Sequence, residues 1–93
     1  RQRQMCIRDR SKIVHAIEKA NKEVDPIYQL NAYQIQAAAD SVVKKIQAKS
    51  YAVNVEEIQD MVETAIMEMR GYEVAQKYVR YRYKREMARK ANS

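Results

Sequence analysis

A single glycine, Gly71, and a single proline, Pro26, interrupt 93 residues in which apolar side chains recur every three or four positions. So few turn-forming residues cannot supply the reversals of a sheet-rich fold, whereas the recurrence matches the period of an α-helix. The chain is therefore expected to be all-α. From Ser11, an N-cap candidate, the residues Ile13, Ile17, Ala20 and Val24 share one face, widened by Val14. This first helix should stop at Asp25-Pro26, because the proline ring disfavours helical geometry at the residue before it. Ile27 to Leu30 then form a short connection. Asn31 with Gln34 three positions on reads as a capping box, ahead of the stripe Ile35, Ala38, Ala39, Val42, Val43 and Ile46, which ends near Ser50. Asn54 with Glu57 repeats the pattern before Ile58, Met61, Val62, Ala65, Ile66 and Met69, and Gly71 stands where a left-handed C-terminal cap is expected. A fourth helix runs from about Tyr72 to about Ala91, with Val74, Ala75, Tyr78, Val79 and Tyr81 on or near its inner face. Four amphipathic helices on short links predict a small four-helix bundle.

Ninety-three residues hold one small domain, which excludes a large enzyme. No apolar run approaches the ~20 residues that span a bilayer, and nothing reads as a signal-peptide core, so a cytoplasmic chain without a membrane partner is expected. Cys6 alone cannot form an internal disulfide, and with His15 as the only histidine a metal centre is not expected.

The net charge of +6 is unevenly spread. Residues 1–10 carry four Arg and one Asp, residues 11–76 carry seven bases and ten acids, and residues 77–93 carry seven bases and one acid. Only the fourth helix is basic within the body of the chain. The first ten residues resemble a translated transposase adaptor of the kind used in sequencing libraries. Its frame CGG CAG CGT CAG ATG TGT ATA AGA GAC AG reads Arg1-Gln2-Arg3-Gln4-Met5-Cys6-Ile7-Arg8-Asp9 and begins the codon of Arg10. Residues 1–10 are on this reading a non-native segment that packs poorly, and 11–93 the domain itself, truncated at its N-terminus. The ordinary alternative is a basic nucleic-acid-binding arm.

Each chemically interesting group has a plainer reading beside it. Lys12 lies in the first turn of a helix begun at Ser11, where a cation opposes the helix dipole; a phosphate on the free N–H groups, with the ammonium over it, would satisfy both, and otherwise Lys12 is a solvated lysine. Tyr78 to Arg85 interleaves aromatics with bases, a pattern that could bind nucleotides. Alternate helical residues diverge, however, so the tyrosines are expected in the core and only one or two bases at a ligand. His15 has no nucleophile in a recognisable arrangement. Glu56, Glu57, Asp60 and Glu63 read as a solvated face that favours the helix dipole.

Three blocks together are more specific: Ser11-Lys12-Ile13-Val14 followed by Ala16-Ile17; Val55-Glu56-Glu57-Ile58-Gln59-Asp60-Met61-Val62-Glu63; and Tyr72-Glu73-Val74-Ala75 followed by Tyr78 to Arg82. In order and spacing they resemble the ATP-cone, a regulatory module at the N-terminus of many ribonucleotide reductases. The ending from Tyr78 through Tyr83 to Ser93 is most similar to the anaerobic ribonucleoside-triphosphate reductase. The resemblance implies a helical bundle covered by a β-hairpin, with ATP or dATP between them as allosteric effector, the first sustaining and the second suppressing the parent's activity. It places Lys12 and Lys84 at phosphate, and Val55 and Gln59 at the base and sugar, Gln59 standing where some relatives have histidine. The hairpin's Lys-Arg-Asp/Asn-Gly pattern is missing, so micromolar nucleotide binding by this chain is not expected. Partners implied are the nucleotide and the parent's catalytic domain; the catalytic groups themselves belong outside this segment. A cone from a transcriptional repressor of reductase genes is a second reading and a basic RNA-binding bundle a third. The net −3 of residues 11–76 disfavours a nucleic-acid partner.

Overall fold

The structure, a computed structural model, describes residues 7–51 and 53–91, without the side chains of 7–9, 89 and 91. Four helices follow one another: α1 (Ile7–Lys22), α2 (Ala32–Gln47), α3 (Val55–Glu68) and α4 (Tyr72–Ala91), with a 3₁₀ turn at Pro26–Tyr28 between the first two. The fold is the all-α bundle expected, with no strand among the described residues. Each helix packs on the next and α4 closes back on α1, so the four apolar stripes meet at one centre. Ile17, Val42, Val62, Ile66 and Val74 are fully enclosed there. Ala38 and Ala39 are also sealed from solvent, and their short side chains give α2 a flat face for its neighbours. No helix of the described residues is long and apolar enough to cross a membrane.

The links are held by side chains that borrow backbone groups. Asn21, at the end of α1, donates from Nδ2 to the Leu30 carbonyl at 3.0 Å and accepts the Leu30 N–H at 2.8 Å, pinning Leu30 into the core. Asn31 accepts the Gln34 N–H at 2.8 Å while Gln34 Oε1 accepts the Asn31 N–H at 2.9 Å, completing the capping box that starts α2. Asn54 accepts the Glu57 N–H at 2.8 Å, but the return bond of the box does not form. The Glu57 carboxylate instead accepts the Tyr51 hydroxyl at 3.0 Å, tying the α2–α3 link to the helix it precedes.

Four local expectations are corrected. The first helix does not start at Ser11: Ile7–Arg10 are already helical, Arg8-Asp9-Arg10 containing no helix breaker. Arg10 anchors that extension to α2, donating to Asp40 at 2.7 Å and to Gln36 at 2.6 Å, so the expected want of tertiary contacts in residues 1–10 fails at position 10. The rest of that expectation rests on residues 1–6 and on side chains 7–9, outside the described set. Gly71 is not the left-handed residue: Arg70 is, with φ 64°. Arg70 N–H donates to the Met67 carbonyl at 2.9 Å and Gly71 N–H to the Ile66 carbonyl at 3.1 Å, the paired bonds of a Schellman ending. Glycine one position later leaves room, since a Cβ there would crowd Leu30 Cδ2 at 3.1 Å and Ile66 Cγ2 at 3.3 Å. Val79, placed near the inner face of α4, is 42% exposed, because the helix turns it away from the core side held by Val74, Ala75 and Tyr78.

Candidate functional site

Where α1, α3 and α4 converge, the bundle leaves an open cleft of about 750 Å³. Its inner wall is apolar: Ile13, Val62 and Tyr78 are buried, and Ala16 and Ile58 partly so. Helical spacing supplies the rim. Lys12, His15 and Lys19 are three and seven positions apart on α1, so they line one edge in sequence. Val55 and Gln59 lie one turn apart at the start of α3 and form the facing edge. Tyr81 and Arg85, again one turn apart, close the cleft from α4.

The electrostatics are one-sided. Lys12, Lys19 and Arg85 all line the cleft, and no aspartate or glutamate lines it among the described residues. Their mutual repulsion is eased at the Tyr81 ring, whose centroid lies 5.8 Å from Lys19 Nζ and 6.0 Å from Arg85 Cζ, within reach of the ring's negative face. Tyr78 packs beside Tyr81 with the ring centres 6.2 Å apart, and burial pushes its phenol pKa up to about 12. Tyr78 is therefore a neutral wall at physiological pH. A deep apolar wall under a basic rim suits a ligand with a flat, poorly charged part and an anionic part.

The α3 wall is fixed from behind. Arg82 donates to Asp60 at 2.8 Å and to Glu63 at 3.1 Å, and reaches the Glu56 carbonyl at 3.5 Å. Burial works against its charge, but the hydrogen bonds and charges of Asp60 and Glu63 prevail and hold the guanidinium more firmly protonated than usual. The first turns of α3, with Val55, Ile58 and Gln59, are thereby tied to α4.

Of the four residues singled out from sequence, Lys12, Val55 and Gln59 share the cleft and Lys84 does not line it. The reason is register: each residue turns the helix by about 100°, and Arg85, not its neighbour, continues the line of Tyr78 and Tyr81 into the cleft. Lys12 also reaches the cleft differently from the expectation. Because α1 is already helical at Ile7, Lys12 lies past its first turn, so it offers a side-chain ammonium and no free helix-end N–H groups. Lys19 was not singled out, although its seven-residue spacing from Lys12 carries that signal. His15, to which the sequence gave no catalytic arrangement, and Tyr81, expected in the core, both line the cleft.

The ATP cone domain family model matches residues 8–87. The chain belongs to the ATP-cone family. No curated protein and no solved structure matches it. The match spans all four helices, and with it every residue that lines the cleft. Domains of this family bind nucleotide effectors, and this cone brings three cations, Lys12, Lys19 and Arg85, and no carboxylate to one opening.

Proposed function

We propose that the cleft between α1, α3 and α4 binds ATP or dATP as an allosteric effector, and that the chain is the activity-regulating cone of an anaerobic ribonucleoside-triphosphate reductase. The observation that carries the reading is the cleft's charge: three cations and no carboxylate over an apolar wall. Lys12, Lys19 and Arg85 hold the phosphates, Arg85 taking the part the resemblance gave to Lys84. Charge-assisted hydrogen bonds from ammonium and guanidinium groups suit phosphate oxygens. Val55 packs against the base, and Gln59, with both a donor and an acceptor, reads its edge or the sugar hydroxyls. Assignment to the anaerobic reductase rests on the resemblance of the segment from Tyr78 to Ser93, and the catalytic domain of that parent is the partner that feels the bound nucleotide.

The test is made in the parent reductase carrying this cone. Lys12→Ala and Arg85→Ala are expected to leave turnover without effector unchanged while raising the effector concentration for half-maximal response about tenfold each, the equivalent of one lost charge-assisted contact of ~1.5 kcal/mol. Full response at the original concentration in both variants refutes the site. A reading frame that enters this segment from a zinc ribbon and ends shortly after it, without a reductase domain, refutes the parent.

A further inference from the structure

His15, the chain's only histidine, lines the cleft from α1 between Lys12 and Lys19. It is exposed, and among the described residues it has neither a hydrogen bond nor an ion pair. A rise of about 1.5 Å per residue sets Lys12 and Lys19 about 10 Å apart along the helix axis, with His15 inside that interval. At about 100° per residue the two lysines stand roughly 60° and 40° to the cleft side of the ring. An anion that reaches both ammonium groups therefore passes the imidazole.

The charges that face this ring come from α1 and α4. On α1 they are Lys12 and Lys19, while Glu18 is turned about 60° the other way and does not line the cleft. On α4 the lining residues are Tyr78, Tyr81 and Arg85. Among the described residues α3 brings no charged group to the lining, and α2 brings no residue at all. In the empty cleft His15 thus has cations and no carboxylate on its inner side. A bound polyphosphate reverses that balance, because anionic oxygens close to a ring favour its charged form. Counting charges leads to the same place. A triphosphate ester carries about four negative charges once its terminal group has lost its last proton, near pH ~6. Lys12, Lys19 and Arg85 offset three of them, and one more cation at the rim completes the match.

We propose that His15 is a further phosphate ligand of the cleft and binds as the imidazolium, so that nucleotide is taken up together with a proton. The proposal rests on the nucleotide reading of the cleft. The proton comes from solvent and enters the ring nitrogen that is bare in the neutral tautomer; both nitrogens then donate, and no bond of the nucleotide is made or broken. Imidazoles change charge between about pH 5 and pH 8, so the affinity contributed by residue 15 is present in acid and fades as pH rises through that range.

Titration of magnesium-free ATP into the chain, His15→Gln and His15→Lys at about pH 6 and about pH 8, followed through side-chain resonances, tests it. Divalent cations are left out because a bound cation would supply the same missing charge. The terminal phosphate and the α-amino group also titrate in this window, but alike in parent and variants, so the ratio of dissociation constants isolates residue 15. The parent is expected to bind several-fold more tightly than His15→Gln at the lower pH and equally at the higher, while His15→Lys keeps the advantage at both. At the higher end of the window ATP should also move the single histidine Cε1–H resonance toward its position in the fully protonated ring. A parent-to-Gln ratio that is the same at both pH values, with Lys12→Ala and Arg85→Ala still weakened, overturns the role of His15 and leaves the nucleotide site standing. No saturable change in any of these proteins at several millimolar ATP overturns both.

Discussion

Arg70 holds a left-handed backbone that glycine would adopt without strain, and it does so because the neighbouring position has taken the chain's one glycine for a different purpose. Gly71 sits close against Leu30 and Ile66, where a Cβ would crowd both side chains, and the left-handed position of the Schellman turn is held by an arginine. Arg70→Gly is expected to stabilise the fold by about 0.5 to 1 kcal/mol, since strain removed outweighs the added freedom of the unfolded chain. Urea unfolding measures it, and a destabilised variant would show that the Arg70 side chain contributes more than its backbone costs. Tyr78 gives a second residue-scale test. Its phenol is raised by burial to about 12, so the folded state keeps the proton after the unfolded state has lost it. The stabilisation is complete below pH 10 and declines as pH rises toward 12, at up to ~1.4 kcal/mol per pH unit. Unfolding free energies of Tyr78→Phe and the parent should therefore diverge over that window, the parent losing more; parallel curves would mean the phenol titrates alike in both states.

Capping chemistry made two of the four helix starts legible from sequence, and it is also where legibility ends. Asn31 and Asn54 start α2 and α3 as their side chains indicate, each accepting the N–H three residues on. Asn31→Ala is expected to cost about 1 kcal/mol by thermal or urea unfolding, because the Gln34 N–H loses its side-chain acceptor while only the bond from the residue-31 N–H to Gln34 Oε1 remains. A loss under a few tenths would show that α2 is held by packing alone. Ser11 looked like an equally good cap, yet Ile7–Arg10 before it are helical too and leave Ser11 inside α1. A cap signal marks a possible start; it cannot forbid an earlier one when no proline or glycine intervenes. The same limit applied to the cleft. Lys12, Val55 and Gln59 were legible because they fall where their helices face the opening, while Lys84 and Arg85 differ only by the rotation of α4. Tyr78 and Tyr81 fix that rotation by packing toward α1 and α3, which no reading of α4 alone supplies. The salt link from Arg82 to Asp60 and Glu63 was equally hidden, since it joins residues 19 and 22 positions apart.

At the scale of the whole molecule, three helices that share one core also share one opening. The packing that buries Ile17, Val62 and Val74 sets Lys12, Lys19 and Arg85 around the same volume. Three charge-assisted contacts at about 1.5 kcal/mol each give roughly 4.5 kcal/mol, a dissociation constant near 1 mM, consistent with the expectation of no binding at micromolar nucleotide. Binding of that strength is read by titrating ATP into isotopically labelled protein and following amide and side-chain resonances residue by residue. The account predicts that Lys12, Lys19, Gln59 and Arg85 shift together along one saturation curve while Asp40 and Lys44, on the outer face of α2, stay still. It also predicts that Arg85→Ala weakens the curve about tenfold and Lys84→Ala leaves it in place. Shifts centred outside the cleft, or none at several millimolar ATP, would contradict it, as would an equal loss in the two variants.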